Sequence, residues 1–182
     1  MEFDEITTDG RLWAVRYDGM QDNILFHTFN NWLDLEWLER FFSLNASDLL
    51  KNFNIINLDE AIFDTFSDAI RLQSVILDLS PDAELDNLFR PLDNNRTAEM
   101  LLSKEKAKGF RTSNHPSWLR LYALKLEPHI YIITGGAIKL THTMNERQHT
   151  INELQKMEMV RNFLIDNGVA DLDGLIDLHN SI

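Results

Sequence analysis

The sequence of 182 residues contains no cysteine, and this absence removes several classes of chemistry. Without thiols the chain has no disulfide, no thiolate metal site and no cysteine nucleophile. It also lacks any run of about 18 to 20 apolar residues, the length that a membrane-spanning helix requires. The acidic N-terminus MEFDEITTDG has neither the basic nor the apolar region of a secretory signal peptide. We therefore expect a cytoplasmic protein with no membrane partner.

Glycine and proline are also scarce, with seven and four residues. They stand where single turns are expected, and no linker, low-complexity tract or internal repeat is visible. At 44% hydrophobic residues, a chain of this length can bury a full core. We expect residues 1–182 to form a single domain.

Hydrophobic periodicity predicts a strand followed by helices in the N-terminal half. Residues 11–17, RLWAVRY, alternate as a strand does, and Asp18-Gly19 closes the segment. The period then changes to three and four residues, which predicts one helical stripe of Trp32, Leu35, Leu38 and Phe42. A second short helix is predicted over residues 46–52.

The clearest helix signal follows residue 57. Asn57 is a candidate N-cap, and Glu60 stands three residues later, as in a capping box. The side chains that we expect on the core-facing side of this helix are Ile62, Phe63, Phe66, Ile70, Gln73 and Leu77. The helix should end before Ser80-Pro81, because the residue that precedes a proline disfavours the α region.

Residues 85–92 predict a short connector whose Leu and Phe pack under the core.

The best strand signal of the chain lies in residues 118–126. One face carries Trp118, Arg120, Tyr122, Leu124 and Leu126, and the other carries Leu119, Leu121, Ala123 and Lys125. A turn at residues 127–129 leads into residues 130–134, which predicts a hairpin. Gly135-Gly136 then interrupts the pattern, so residues 137–143 are either a continuation after a bulge or a third strand. Residues 97–108 fit a helix or a strand.

The C-terminal residues 150–182 are predicted to be helical. Thr150 and Glu153 have the spacing of a capping box, and Asn167-Gly168 predicts the end of that helix. Its apolar face consists of Leu154, Met157, Val160, Phe163 and Leu164. The chain is therefore expected to be an α+β protein with an N-terminal strand, a helical region at 31–79, a small antiparallel sheet within 96–149, and C-terminal helices.

The net charge of −12 argues on its face against nucleic-acid binding, but the charges are unevenly distributed. Residues 1–95 carry six basic and nineteen acidic side chains, whereas residues 96–149 carry nine basic and four acidic ones. The basic segment also holds four of the six histidines, so its positive charge grows as the pH falls. It is either an ordinary β-region between acidic helices or a localised anion-binding face.

One cluster in the basic segment combines cations with polar side chains: Lys104, Lys106, Lys108, Arg111, Arg120, Tyr122, Lys139 and His142. The three lysines recur every second residue, so an extended backbone would place them on one face. Arg120 shares its strand face with Trp118 and Tyr122, so it must pair, stack or open onto a groove. The sequence leaves open whether Arg120 forms a salt bridge with an acidic helix or lines such a groove.

Other kinds of site find no support in the sequence. The histidines lack the spacing of a zinc or iron site: His115, His129, His142 and His149. The stretch ITGGAIKLT has neither the spacer and Gly-Lys-Ser/Thr of a P-loop nor the third glycine of a dinucleotide motif. No G-x-S-x-G elbow occurs. We expect neither a metal nor a cofactor.

A cluster of this composition can cleave RNA without a metal ion. Lysine and arginine offset the extra negative charge of the phosphorane-like transition state. Histidine, tyrosine or a lysine of lowered pKa can move the proton between the 2′-hydroxyl and the leaving 5′-oxygen.

Residues 101–164 resemble the C-terminal half of RelE/HigB-type toxins of bacterial toxin–antitoxin systems. That family has four elements in a fixed order: a Lys-rich segment, an Arg-bearing strand, a hairpin arm leading into a Lys-x-Thr-like stretch, and a closing helix. This chain offers SKEKAKGFR, WLRLYALKL, YIITGGAIKLTHT and TINELQKMEMVRNFL in that order. The resemblance implies a RelE-like sheet and a metal-independent endoribonuclease, with mRNA or the ribosome as its target and an antitoxin protein as its partner.

The resemblance also implies roles for residues at the matching positions. Catalytic roles fall to Arg120, Lys139 and His142. Substrate-binding roles fall to Lys106, Lys108, Arg111 and Tyr122. The chain departs from the family in its acidic charge, in its length and in the added helical region 31–79. The alternative is a non-catalytic interaction module with a RelE-like fold, whose acidic helices bind a protein partner.

Overall fold

A six-stranded sheet with helices on both faces forms the structure, a computed structural model that describes residues 1–79, 83–92, 101–112 and 114–181. Its strands are β1 Glu2–Glu5, β2 Leu12–Arg16, β3 Phe89–Pro91, β4 Ser103–Lys108, β5 Leu119–Glu127 and β6 Ile130–Ile138. The helices of the described residues are α1 Ile24–Trp32, α2 Leu35–Leu44, α3 Ala46–Phe53, α4 Leu58–Leu77, α5 Leu85–Leu88, α6 Gln148–Asp166 and α7 Leu172–Ser181, with a 3-10 turn at Met144–Glu146. The predicted α+β fold class is confirmed.

The strand order is β1-β2-β6-β5-β4-β3. Neighbouring strands are antiparallel except for β2 and β6, which run parallel and pair Leu12 with Tyr131. The predicted hairpin is β5 and β6. The sheet is therefore mixed. β2 and β6 can run parallel because the long segment between them, which includes the N-terminal helices, returns the chain to the same end of the sheet.

Helices cover the two faces of the sheet. On one face, which we call the α6 face, Phe163 of α6 lies against Phe3, with ring centroids 6.1 Å apart. His179 of α7 packs on Trp13 of the same face at 5.5 Å. α1 lies on the opposite face, where the Thr28 methyl group approaches Gly136, and α4 packs against α1 and α2.

Most strand predictions agree with the structure. β2 falls within residues 11–17, and the described part of residues 97–108 forms the strand β4. β6 continues through Gly135-Gly136 with a register shift between Tyr122 and Ala123 of β5, so the bulge interpretation is the correct one. β1 was not predicted from the sequence, because EFDE has little strand-like alternation and its strand is evident only from its pairing with β2.

The orientation predicted for α4 is only partly correct: Ile62 and Phe66 pack against the core, but other predicted positions do not. Its buried side chains are Ala61, Thr65, Asp68, Ala69, Leu72 and Ile76. Phe63, Ile70 and Leu77, expected in the core, are exposed instead. The helix turns this mixed face inward because the Asp68 carboxylate accepts hydrogen bonds from the segment before β5, so the buried polar group is satisfied.

The ends of the N-terminal helices only partly follow the predictions. Asn57 caps α4 by accepting from the Asp59 amide at 3.0 Å, as predicted. α4 ends at Leu77, while Ser80-Pro81 and residues 93–100, including Arg96, lie outside the described residues. The stripe predicted at residues 32–42 is divided between two helices, because Asp34 caps a new helix that begins at Leu35.

The capping box predicted at Thr150 lies elsewhere. α6 begins at Gln148, and the Thr150 hydroxyl donates to carbonyls of the preceding turn. The actual box is formed by Thr143 and Glu146. None of the helices in the described ranges combines the length and the apolar character needed to cross a membrane.

Candidate functional site

A groove of about 880 Å³ opens on the α6 face, where β4 and β5 emerge from beneath α6. We call it the cationic groove. It is lined by Leu92, Lys106, Lys108, Arg120, Tyr122, Lys139, His142, Thr143, Met144, Asn145 and Leu154. Of the predicted site residues, all but Arg111 meet in this groove.

The strand register explains why these side chains meet. Lys106 stands opposite Tyr122, and Lys108 stands opposite Arg120. Paired residues of neighbouring strands project to the same face of a sheet, so β4 and β5 present all four side chains together. The common face predicted for the lysines is confirmed, because β4 is extended.

Arg120 is held by backbone carbonyls. Its Nη1 donates to the carbonyl oxygens of Ser117 at 2.8 Å and Leu119 at 2.7 Å. Burial lowers the pKa of the guanidinium, while the nearby Tyr122 and Asp68 oppose that shift. The salt bridge considered for Arg120 is not formed: among the described residues no carboxylate lies within ion-pair distance of it.

Lys139 enters the groove from the end of β6. Its Nζ donates to the carbonyl oxygens of Thr141 at 2.5 Å and His142 at 2.6 Å. Burial lowers the pKa of Lys139, and the positive charges of Arg120 and of the β4 lysines lower it further, against the opposing charge of Glu146. An anion in the groove would relieve this mutual repulsion.

Among the described residues, three of the cations in the groove have no acidic partner. In the part of the chain that the structure describes, Lys108, Arg120 and Lys139 form no ion pair. Other cations do find acids: Lys104 pairs with Glu158, Arg147 with Asp48, and Lys156 with Glu153. In a chain with 29 acidic and 17 basic residues, three cations without a carboxylate partner in one groove are an unusual concentration of uncompensated charge.

The groove also contains a buried hydroxyl group. Tyr122 is fully buried, and its hydroxyl has no hydrogen-bond partner among the described residues. Burial raises the pKa of Tyr122, although Arg120 partly offsets this effect. The hydroxyl therefore stays protonated at neutral pH and is an unsatisfied donor beneath the groove.

A second depression of about 580 Å³ continues from the groove around β4. Lys106 and Lys108 line both, and the second also contains Arg90 and Phe110. The Arg71 guanidinium carbon lies 4.7 Å from the centroid of the Phe110 ring. The two depressions therefore adjoin one another at Lys106 and Lys108.

Arg111 and most of the histidines lie elsewhere. Arg111 is exposed in the connector between β4 and β5 and does not line the groove. His115 is buried and bonded to Asp64 at 3.0 Å, while His149 contacts the Ile138 carbonyl oxygen. Only His142 of the four joins the groove, where it is exposed at the rim.

The apolar and amide walls of the site were not predicted from the sequence. Leu92, Met144, Asn145 and Leu154 line the groove, yet they belong to three separate segments with no recognisable motif. Arg90 of the second depression was also missed, because the β3 pairing that places it beside Lys106 is not visible in the sequence. Within the described residues, no group of three or more His, Asp or Glu side chains is placed to hold a metal ion.

Comparison with family models, curated proteins and solved structures gives no match. The groove and its charges therefore provide the basis for inferring a function.

Proposed function

We propose that the cationic groove binds the phosphate backbone of RNA, and that the protein is a RelE/HigB-like, metal-independent endoribonuclease. The observation that carries this proposal is the group of Lys108, Arg120 and Lys139, which lack carboxylate partners in an otherwise acidic protein. Lysine and arginine supply most of the affinity for phosphates, so such a group favours a polyanion over a neutral ligand.

The shape of the site supports a chain of nucleotides over a single phosphate. The groove and the second depression share Lys106 and Lys108, so consecutive phosphates can follow one continuous surface. Phe110 and Arg90 in the second depression offer surfaces on which an unpaired base can stack. The Tyr122 hydroxyl supplies a neutral donor at the groove.

The reaction that fits these groups is transfer of a phosphodiester to its own 2′-oxygen. The 2′-hydroxyl loses its proton and attacks phosphorus, and the 5′-oxygen leaves with a proton, giving a 2′,3′-cyclic phosphate and a 5′-hydroxyl. His142, exposed at the rim, is the candidate for proton transfer. Arg120 and Lys139 would stabilise the transition-state charge, while Lys106 and Lys108 hold neighbouring phosphates.

On this proposal the substrate is mRNA, free or on the ribosome, and an antitoxin protein controls the activity. Arg111, which the family resemblance assigns to phosphate binding, would contact only RNA that extends beyond the groove.

Purified protein incubated with single-stranded RNA in the presence of a chelator tests the chemistry. We expect cleavage to 2′,3′-cyclic phosphate and 5′-hydroxyl ends, with no cleavage of the 2′-deoxy analogue. Because general acid–base groups typically contribute about 10²- to 10⁴-fold, His142→Ala should lower the rate by a factor in that range. Arg16→Gln, at the opposite edge of the sheet, is the control.

Expression in cells gives an independent readout. Growth arrest and loss of mRNA integrity, both abolished by Lys139→Gln with His142→Ala, would support the proposal. A folded protein that leaves RNA intact in both assays would contradict the nuclease function.

A second candidate is the non-catalytic interaction module. It is favoured by the two carbonyl contacts of Arg120, which suit a structural role, and by the exposed apolar side chains of α4. The two candidates differ in a simple observable: a module without activity would keep its partner binding when His142 is replaced and would never produce cyclic phosphate ends.

A further inference from the structure

The exposed side of α4 carries a regular apolar stripe. Phe63, Ile70 and Leu77 recur every seven residues and are 70%, 45% and 44% exposed. Ile56, which precedes the helix, is 81% exposed, and Phe66, about one turn from both Phe63 and Ile70, is partly buried against the core. We call these five residues the α4 stripe. Single exposed apolar residues are common on proteins, but an aligned set of this length marks a contact surface.

Hydrogen bonds fix the orientation that exposes the stripe. On the buried side of α4, the Thr65 hydroxyl accepts a hydrogen bond from the Trp118 indole at 2.8 Å. The Asp68 carboxylate accepts one from the Phe110 amide at 2.6 Å. The Ser117 hydroxyl donates to the same carboxylate at 2.5 Å. If α4 rolled to bury the stripe, these buried groups would lose their partners, and Leu72 and Ile76 would leave the core. The stripe is therefore exposed in the folded chain.

The geometry of the stripe fits a helix. From Phe63 to Leu77 it spans about 21 Å along the α4 axis, at 1.5 Å per residue. A seam in which two helices interlock has apolar residues at positions a and d of each heptad. Phe63, Ile70 and Leu77 occupy one of these positions, and Phe66 occupies the other in the first heptad. A helix-in-groove contact of this kind uses anchors on the same spacing from the partner.

The charges beside the stripe decide which helix fits. Apart from the buried Asp68 and from Asp64, which bonds to His115, the acidic residues of α4 and its C-cap are Asp59, Glu60 and Asp78. The single basic residue of α4, Arg71, lies over the Phe110 ring. A second copy of this chain would bring two acidic helices together, since residues 1–95 carry nineteen acidic and six basic side chains. A basic helix would be attracted instead.

We propose that the α4 stripe is the docking surface for an amphipathic helix of a protein partner, with an apolar seam flanked by lysine and arginine. None of the stripe residues lines the cationic groove, so the surface does not depend on the function proposed for the groove. A partner bound there leaves the groove open to its own ligand.

Fluorescence anisotropy with a labelled synthetic peptide tests the proposal. The probe is a helix of about three heptads with leucine at the seam and lysine at the flanking positions. Two control peptides carry glutamate at the flanks or glutamine at the seam. We expect the basic probe to bind, and both control peptides to bind at least about tenfold more weakly, since the seam and the flanks each contribute.

Protein variants locate the binding surface. Phe63→Ser with Ile70→Ser removes the centre of the stripe without touching the core, so the fold should be retained, as circular dichroism would verify. Affinity for the basic probe should fall by about tenfold or more. The matched control is Ile165→Ser, which removes a residue of α6 that is 45% exposed, and it should leave affinity unchanged.

Several results would overturn the proposal. These are no binding of the basic probe, equal binding of the glutamate-flanked peptide, or no effect of the double substitution. Light scattering provides a further check: a dimer that the double substitution dissociates would assign the stripe to a second copy of the chain. Because cleavage of RNA is measured separately, failure here would leave the groove proposal standing.

Discussion

The salt dependence of RNA binding gives the sharpest test of the cationic groove. Lys108 is the best position to perturb, because it is exposed and has no ion-pair partner among the described residues. Lys108→Gln therefore removes one positive charge without leaving a buried group unsatisfied. The salt dependence of the affinity reports how many of the groove cations contact a phosphate. The four candidates are Lys106, Lys108, Arg120 and Lys139.

The expected magnitude follows from counterion release. For single-stranded nucleic acid the slope of log K against log salt is about −0.7 per neutralised phosphate, so three or four contacts give about −2 to −3. Affinity should then fall about 15- to 60-fold between 50 and 200 mM salt. Lys108→Gln should make the slope shallower by about 0.7 and weaken binding most at low salt.

The assay is fluorescence anisotropy with a labelled single-stranded RNA that carries 2′-O-methyl groups, so that it cannot be cleaved. Titrations at several potassium chloride concentrations give the slope. The control is Arg16→Gln, which changes the net charge by the same amount but lies on β2, separated from β4 by β6 and β5. A wild-type slope near zero, or equal changes in the two variants, would refute RNA binding in the groove.

Two further predictions concern stability. Burial raises the pKa of Glu153 above its ordinary value of 4.5, against the opposing effect of Lys156, so ionisation of this carboxyl group costs stability as the pH rises from 4.5 through the raised value. Glu153→Gln should therefore gain stability relative to wild type in urea unfolding as the pH rises above 4.5, and a pH-independent difference would contradict this. Thr65→Val leaves the buried Trp118 indole without its acceptor and should lower the free energy of unfolding by about 1 to 3 kcal/mol. Thr65→Ser, which keeps the hydroxyl, is its control, and equal stability of the two variants would show that the hydrogen bond contributes nothing.

The strand faces could be predicted because side chains alternate with an invariant period of two. Once β4 is extended, Lys106 and Lys108 share a face, and Arg120 and Tyr122 share one on β5 for the same reason. That the two pairs meet depends on β4 lying beside β5 in register, a contact between separate segments. The sequence therefore indicated the members of the groove, while Arg111 shows that membership in a basic segment does not place a residue in the site.

The errors have physical causes that a single sequence conceals. Periodicity showed an apolar side of α4, but hydrogen bonds from Trp118 and Ser117 to the other side decide its orientation. The capping box was misplaced by seven residues because Thr143 and Thr150 each stand three positions before a glutamate. Local patterns of equal quality cannot distinguish these alternatives, whereas contacts between distant segments can.

The parallel pairing of β2 with β6 has a consequence for the order of folding. Because Leu12 of β2 pairs with Tyr131 of β6, the N-terminal strands can enter the sheet only after most of the chain has left the ribosome. The first helices, which depend on nearer contacts, can form earlier. Lys139, which completes the groove, follows β6 directly. A nascent or C-terminally truncated chain would therefore present its acidic helices before the cationic groove is complete.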